Sequence, residues 1–140
     1  MKLAIVALLA LALLPPVAAA PLPGTCGDPC VIEAASAGYS PLASVISTGA
    51  SVVWHSADIT HITRDTGVTA GSAACFEVIG AMGEDAPAVR FDIEGLAVVA
   101  TVDGVSTPCA NAVATPAGAV IPYFCSIHPT MRGVLVVAGV

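Results

Sequence analysis

Residues 123–137 read YFCSIHPTMRGVLVV. Within this stretch Cys125, His128 and Met131 fall three and three apart, between the strand-like pair Tyr123-Phe124 and the strand-like run GVLVV. Three ligand-type side chains leaving one tight loop can converge on a point, because a loop imposes no helical or strand period on them. A fourth donor must come from elsewhere, and His55, His61 and a few carboxylates are the candidates. His55 directly follows Trp54, so strand alternation turns it to the opposite face from the tryptophan. Asp58 is read as shaping the turn before His61 and not as a ligand.

The donor set narrows the metal. A thiolate, two imidazoles and a thioether suit copper in both oxidation states. Zinc accepts Cys and His but has little use for a thioether, and iron–sulfur ligation needs more free thiolates than this chain offers. A trigonal His₂Cys set with a weak axial Met is the arrangement of blue-copper electron-transfer sites. If one further protein donor completes the set begun by Cys125, His128 and Met131, no place is left for water or substrate. That argues against hydrolytic or oxygenase chemistry and against an enzyme.

Working outward, the chain is a series of short apolar runs cut by Gly, Pro, Asp and Ser: VIEAAS, ASVVWHS, HITR, ACFEVIG, AVRFDI, LAVVATV, AVIPYFC and GVLVVAG. Runs of this length, rich in Val and without sustained helical spacing, read as a small antiparallel sandwich or barrel. Asp103-Gly104 is a two-residue hairpin turn by type. Residues 106–119, STPCANAVATPAGA, are low in bulk and read as a long connection.

The first twenty residues follow another pattern. Lys2, an unbroken apolar run from Leu3 to Leu14, then Pro15-Pro16 and the small tail Val17-Ala18-Ala19-Ala20 have the order of a secretory signal. Cleavage after Ala19 is expected, since cutting after Ala20 puts Pro21 next to the scissile bond; a retained anchor is the alternative. This segment carries much of the 56% hydrophobic content of the 140 residues and of the mean hydropathy of +0.91, values that would otherwise suggest a membrane protein. The expected organisation is a signal at 1–19, a Pro/Gly/Cys-rich leader at 20–30 and one domain at 31–140. About 120 residues suffice for a single core. The product is expected to be periplasmic, at the cell surface or extracellular, with no transmembrane helix.

Without Lys2 three Arg stand against ten acidic residues, a formal −7, and no basic footprint for nucleic acid remains. A partner steered by long-range charge is therefore basic. Five cysteines in an exported chain leave one unpaired. Cys26, Cys30, Cys75 and Cys109 lie in turn-like or strand-edge contexts, whereas Cys125 is surrounded by ligand types. Pairing of Cys75 with Cys109 and Cys26 with Cys30 is expected; 26–75 with 30–109 and 26–109 with 30–75 stay open.

Taken together, VVWHSADITHIT (residues 52–63) and YFCSIHPTMRGVLVV resemble the cupredoxins, the small blue copper proteins, and among them plastocyanin-like and amicyanin-like members with a short Cys-x-x-His-x-x-Met loop. Tyr39-Ser40-Pro41 and Gly49 are similar to further family signals. The resemblance covers residues 31–63 and 118–140 and is poor across 66–117. It implies an all-β Greek-key sandwich of about 7–9 strands, one copper ion on His61, Cys125, His128 and Met131, and single-electron shuttling between redox proteins by a monomer. It also implies docking through an apolar edge at His128, here Ile127, Pro129 and Pro122. One position departs from the pattern: the family commonly has Asn or Thr after the first His, tying that loop to the residue after the Cys, and here it is Ile62 facing Ser126. Two other readings are a copper carrier or metallochaperone and a metal-free secreted binding module. A carrier tends to expose Met or His clusters, which three His and an isolated Met82 do not supply.

Overall fold

Side chains alternate in and out along nearly every apolar run, which is the signature of strands with one face on a core. The computed structural model describes residues 24–66 and 74–139; the expected signal peptide lies outside the described residues. Eleven strands are found among them: β1 Cys30–Ala35, β2 Gly38–Ser40, β3 Ala43–Ser47, β4 Ser51–Ser56, β5 His61–Asp65, β6 Glu77–Gly80, β7 Val89–Glu94, β8 Ala97–Val102, β9 Val105–Val113, β10 Ala119–Cys125 and β11 His128–Ala138. They form a six-stranded sheet, β2-β1-β4-β7-β8-β9, and a five-stranded sheet, β3-β11-β10-β5-β6. The chain crosses between sheets after β2, β3, β4, β6 and β9, and the pairs β1–β4 and β3–β11 are parallel. The expected all-β Greek-key sandwich is thus present, divided more finely than into seven to nine strands because β2 and β6 are pieces of three and four residues.

Residues 106–119 are not a long connection. Most of them belong to β9, which pairs with β8 through the Asp103-Gly104 hairpin, both turn residues at positive φ (49° and 78°). The low bulk that concealed this strand follows from its place at the edge of the six-stranded sheet, where Pro108 breaks no inner ladder.

The core is a run of aromatic contacts through the sandwich. Tyr39 meets Tyr123 edge-on at 4.9 Å, Tyr123 meets Trp54 at 5.3 Å, Trp54 stacks on Phe76 at 5.3 Å and Phe76 meets Phe91 at 5.5 Å. All five are buried, Trp54 at the centre of the run. Asp65, also buried, accepts the backbone N–H of Cys75 at 2.8 Å and fixes the chain just before β6.

Disulfides join Cys26 to Cys30 and Cys75 to Cys109, leaving Cys125 as the free cysteine among the described residues. The second bridge ties the approach to β6, in one sheet, to β9 at the edge of the other. Closing a loop of 34 residues contributes about 4 kcal/mol by the chain-entropy argument. The first bridge draws residues 24–30 onto the sandwich, where Cys26 N–H donates to the Val45 carbonyl. No described helix is long and apolar enough to cross a membrane.

Burial pushes the Tyr39 hydroxyl well above the ordinary phenol range and that of Tyr123 up to about 12. Up to pH of about 10 both phenols are protonated in folded and unfolded chains alike, so their burial favours folding fully. Above that the unfolded chain releases protons that the folded chain keeps, and stability falls toward pH 12. An alkaline titration should therefore show phenolate absorbance from these two residues appearing together with loss of circular dichroism; ionisation in a still-folded protein would contradict their burial.

Candidate metal centre

The site is built where β10 runs between β5 and β11. Cys125 is the last residue of β10, His128 opens β11 after the two-residue turn Ser126-Ile127, and His61 opens β5. The Cys-x-x-His-x-x-Met segment is thus shorter as a loop than its sequence suggests. Phe124 pairs with Arg132, which would put Met131 opposite Cys125, yet Cys125 pairs with His128. Residues 129–131 are left as a bulge, and Pro129, which has no N–H to lose, sits in it.

The structure brings three of the four expected residues, His61, Cys125 and His128, together. One ligand atom each from His61, Cys125 and His128 lies within 4.8 Å of the others, and this is the cluster of its kind among the described residues. Cys125 Sγ is 3.7 Å from His61 Nδ1 and 3.8 Å from His128 Nδ1. The imidazole rings are 5.6 Å apart and tilted by 56°. Met131 is buried at 4% exposure, in the same core cluster as Cys125. His55 lies elsewhere, its Nδ1 2.7 Å from the Asp85 carboxylate at the surface.

These spacings can be compared with what a metal needs. Bonds of about 2.3 Å to a thiolate and 2.0–2.1 Å to an imidazole, opened to a trigonal angle, separate sulfur from nitrogen by about 3.7–3.8 Å; tetrahedral angles bring them to about 3.5–3.6 Å. Both sulfur–nitrogen separations are of this size, so the thiol and each imidazole can reach one ion, and one thiolate with two imidazoles is a donor set that copper or zinc accepts. The donors also differ in access: Cys125 and His61 are buried, at 0% and 2%, and His128 is half-buried.

Around the donors the backbone replaces what the sequence seemed to lack. Ser126 N–H donates to the Ile62 carbonyl at 2.9 Å, so the two ligand segments are tied without an Asn or Thr at position 62. Thr63, paired with Cys125 across the strands, shares a 2.8 Å hydrogen bond with the Tyr39 hydroxyl. Sequence reasoning missed the part of Asp58: its Oδ1 lies 3.3 Å from His61 Nε2, and its Oδ2 accepts both the N–H and the hydroxyl of Ser36. Hydrogen bonds from Ser36 hold the Asp58 carboxyl well below the usual carboxylate range. An aspartate three residues before a histidine is too common a pattern to announce this contact.

The apolar edge is smaller than expected. Ile127, 48% exposed, and Pro129 flank His128 at the turn. Pro122 pairs with Val134 three residues back along β10, about 10 Å from Cys125 by strand rise, and lines a groove with Leu42 and Thr66 instead.

A buried thiol is testable without metal. In the native metal-free protein Cys125 should resist a thiol–disulfide exchange reagent, and in denaturant one thiol per chain should react, with none in Cys125→Ser. Three or more reactive thiols would contradict the two bridges.

No family model matches the chain, and no curated protein matches it. Solved structures do. A reduced Cu(I) form of an amicyanin variant at pH 4 superposes with a TM-score of 0.52 over 79% of this chain and 82% of that one, at 19% identity. The oxidized state of a second amicyanin variant gives 0.51 over 82% and 83%, again at 19%. The copper-containing nitrite reductase of Thermus scotoductus SA-01 gives 0.53 at 19% identity over 80% of this chain but only 23% of that enzyme. Likeness at such identity concerns the fold, and a fold hosts many functions. By its two sheets and these superpositions, the chain has the cupredoxin-like fold.

Proposed function

We propose that this chain is an exported type 1 copper protein that carries single electrons between redox partners, with copper held by His61, Cys125, His128 and Met131. The observation that carries the reading is the convergence of one thiol and two imidazoles, their ligand atoms within 4.8 Å of one another. Bound there, copper supplies a one-electron couple, Cu(II)/Cu(I).

The protein's own residues do the rest. His61 and Cys125 lie in paired strands of one sheet, so their spacing changes little with the charge between them. Burial of Cys125 excludes water and spares the thiol from oxidation. His128 is the one of the three clustered donors that is not buried, and with Ile127 and Pro129 beside it, it offers a small apolar contact for a transient partner. The acidic balance of the rest of the chain favours basic partners in the long-range encounter. Four protein donors leave no open position for a substrate, in support of a carrier of electrons over an enzyme.

Export is supported by the two disulfides, which persist in oxidising compartments. The proposed division is a signal at 1–19, a leader at 20–30 whose Cys26–Cys30 bridge holds it against the sandwich, and a cupredoxin-like domain at 31–140. A copper carrier would release its metal readily, and a cluster this buried is poorly suited to that.

Adding Cu(II) to the purified protein should produce an intense thiolate–copper charge-transfer band in the visible. The band should vanish in Cys125→Ser, and a chelator should remove the metal only slowly. A colourless protein, or absorption that survives the substitution, overturns the reading. In His128→Ala, electron exchange with a reductant should slow sharply; an unchanged rate would exclude the His128 edge as the route.

A further inference from the structure

We infer that Asp58 is a positioning residue for the metal centre: it fixes the proton and the orientation of His61 and couples them to the β1–β2 turn. The inference rests on the copper reading for its consequences but not for its geometry.

His61 offers its Nδ1 to the site, 3.7 Å from Cys125 Sγ, while its Nε2 lies 3.3 Å from Asp58 Oδ1. An ionised carboxylate can only accept, so the single proton of a neutral imidazole belongs on Nε2, and the Nδ1 lone pair is left facing the thiol. The same contact sets the ring plane, since its two nitrogens are held from opposite sides. Asp58 is itself held. Its other oxygen accepts the backbone N–H of Ser36 at 2.9 Å together with the Ser36 hydroxyl, and Ala57 N–H donates to the Ala34 carbonyl at 2.9 Å. Ala34 and Ser36 belong to the end of β1 and the turn after it, in the six-stranded sheet, whereas His61 opens β5 in the five-stranded one. The orientation of one imidazole is thereby referred to both sheets. The His61 side chain is 1% exposed and Asp58 40%, so the carboxylate closes the solvent side of a ring that is otherwise enclosed. A carboxylate on the far nitrogen also makes the ligand a stronger donor, and loss of such a partner typically lowers metal affinity by about 10–100-fold.

Two variants separate acceptor from charge: Asp58→Ala removes both, and Asp58→Asn keeps an acceptor oxygen. In the metal-free wild type, side-chain ¹⁵N NMR should show His61 as the Nε2–H form with a slowly exchanging proton. That signal should broaden or vanish in Asp58→Ala and persist in Asp58→Asn. Copper affinity should fall about 10–100-fold in Asp58→Ala and less in Asp58→Asn. Both variants should raise the reduction potential, because a negative charge near the metal favours Cu(II); a role in turn stability alone would leave the potential unmoved. If the His61 signal, the affinity and the potential are all unchanged in Asp58→Ala, the inference is overturned. Should wild type form no thiolate–copper band while the His61 proton still depends on Asp58, the copper reading fails and the placement of His61 by Asp58 stands.

Discussion

The register of β10 against its two neighbours is the constraint on which the site depends. Cys125 faces Thr63 across one ladder and His128 across the other. A slip of one residue in either would turn the thiol from the core to the outer face of the sheet. What prevents the slip is burial: Ile121, Tyr123 and Cys125 point inward while Val120 and Pro122 point out, and Tyr123 locks into the aromatic run at the centre of the sandwich. The core therefore sets the position of the strand that carries the thiol.

Much of this was legible in the sequence, and for a physical reason. Cys125, His128 and Met131 are close in the chain, so the chemistry of the set could be read from spacing; His55 could be set aside because strand alternation turns it away from Trp54, and His61 came from the family resemblance. The odd cysteine count singled out Cys125. The parts that stayed hidden depend on groups that sequence does not advertise. The tie between Ser126 and Ile62 runs through backbone atoms and is blind to side-chain identity. Asp58 reaches His61 only because Ser36, 22 residues earlier, holds its other oxygen. Residues 106–119 misled because an edge strand needs neither bulk nor a full set of N–H donors.

Charge is distributed less simply than the net value implies. Two of the three arginines outside the N-terminal segment, Arg64 and Arg132, lie to either side of Phe124 in one cross-strand row, each with its guanidinium about 6 Å from the ring. Arg64 also approaches Glu77 at 3.6 Å. The row is on the outer face of the five-stranded sheet, beside the strand that carries the thiol, so an acidic chain presents its cations close to its site. Surface pairs of this kind add little to stability, but they shape the local potential.

The bulge at residues 129–131 has a consequence for how such a molecule can change over evolutionary time. Regular pairing resumes at Phe124 and Arg132, so the segment between them hangs from the sheet by two fixed posts. Residues can be inserted or removed there without shifting any strand, and a longer or shorter segment would alter the distance and angle of the donors on one side only. The ligand on β5 and the core would stay as they are. The site is in this sense modular: the donors on one segment could change in spacing while the two sheets stay as they are.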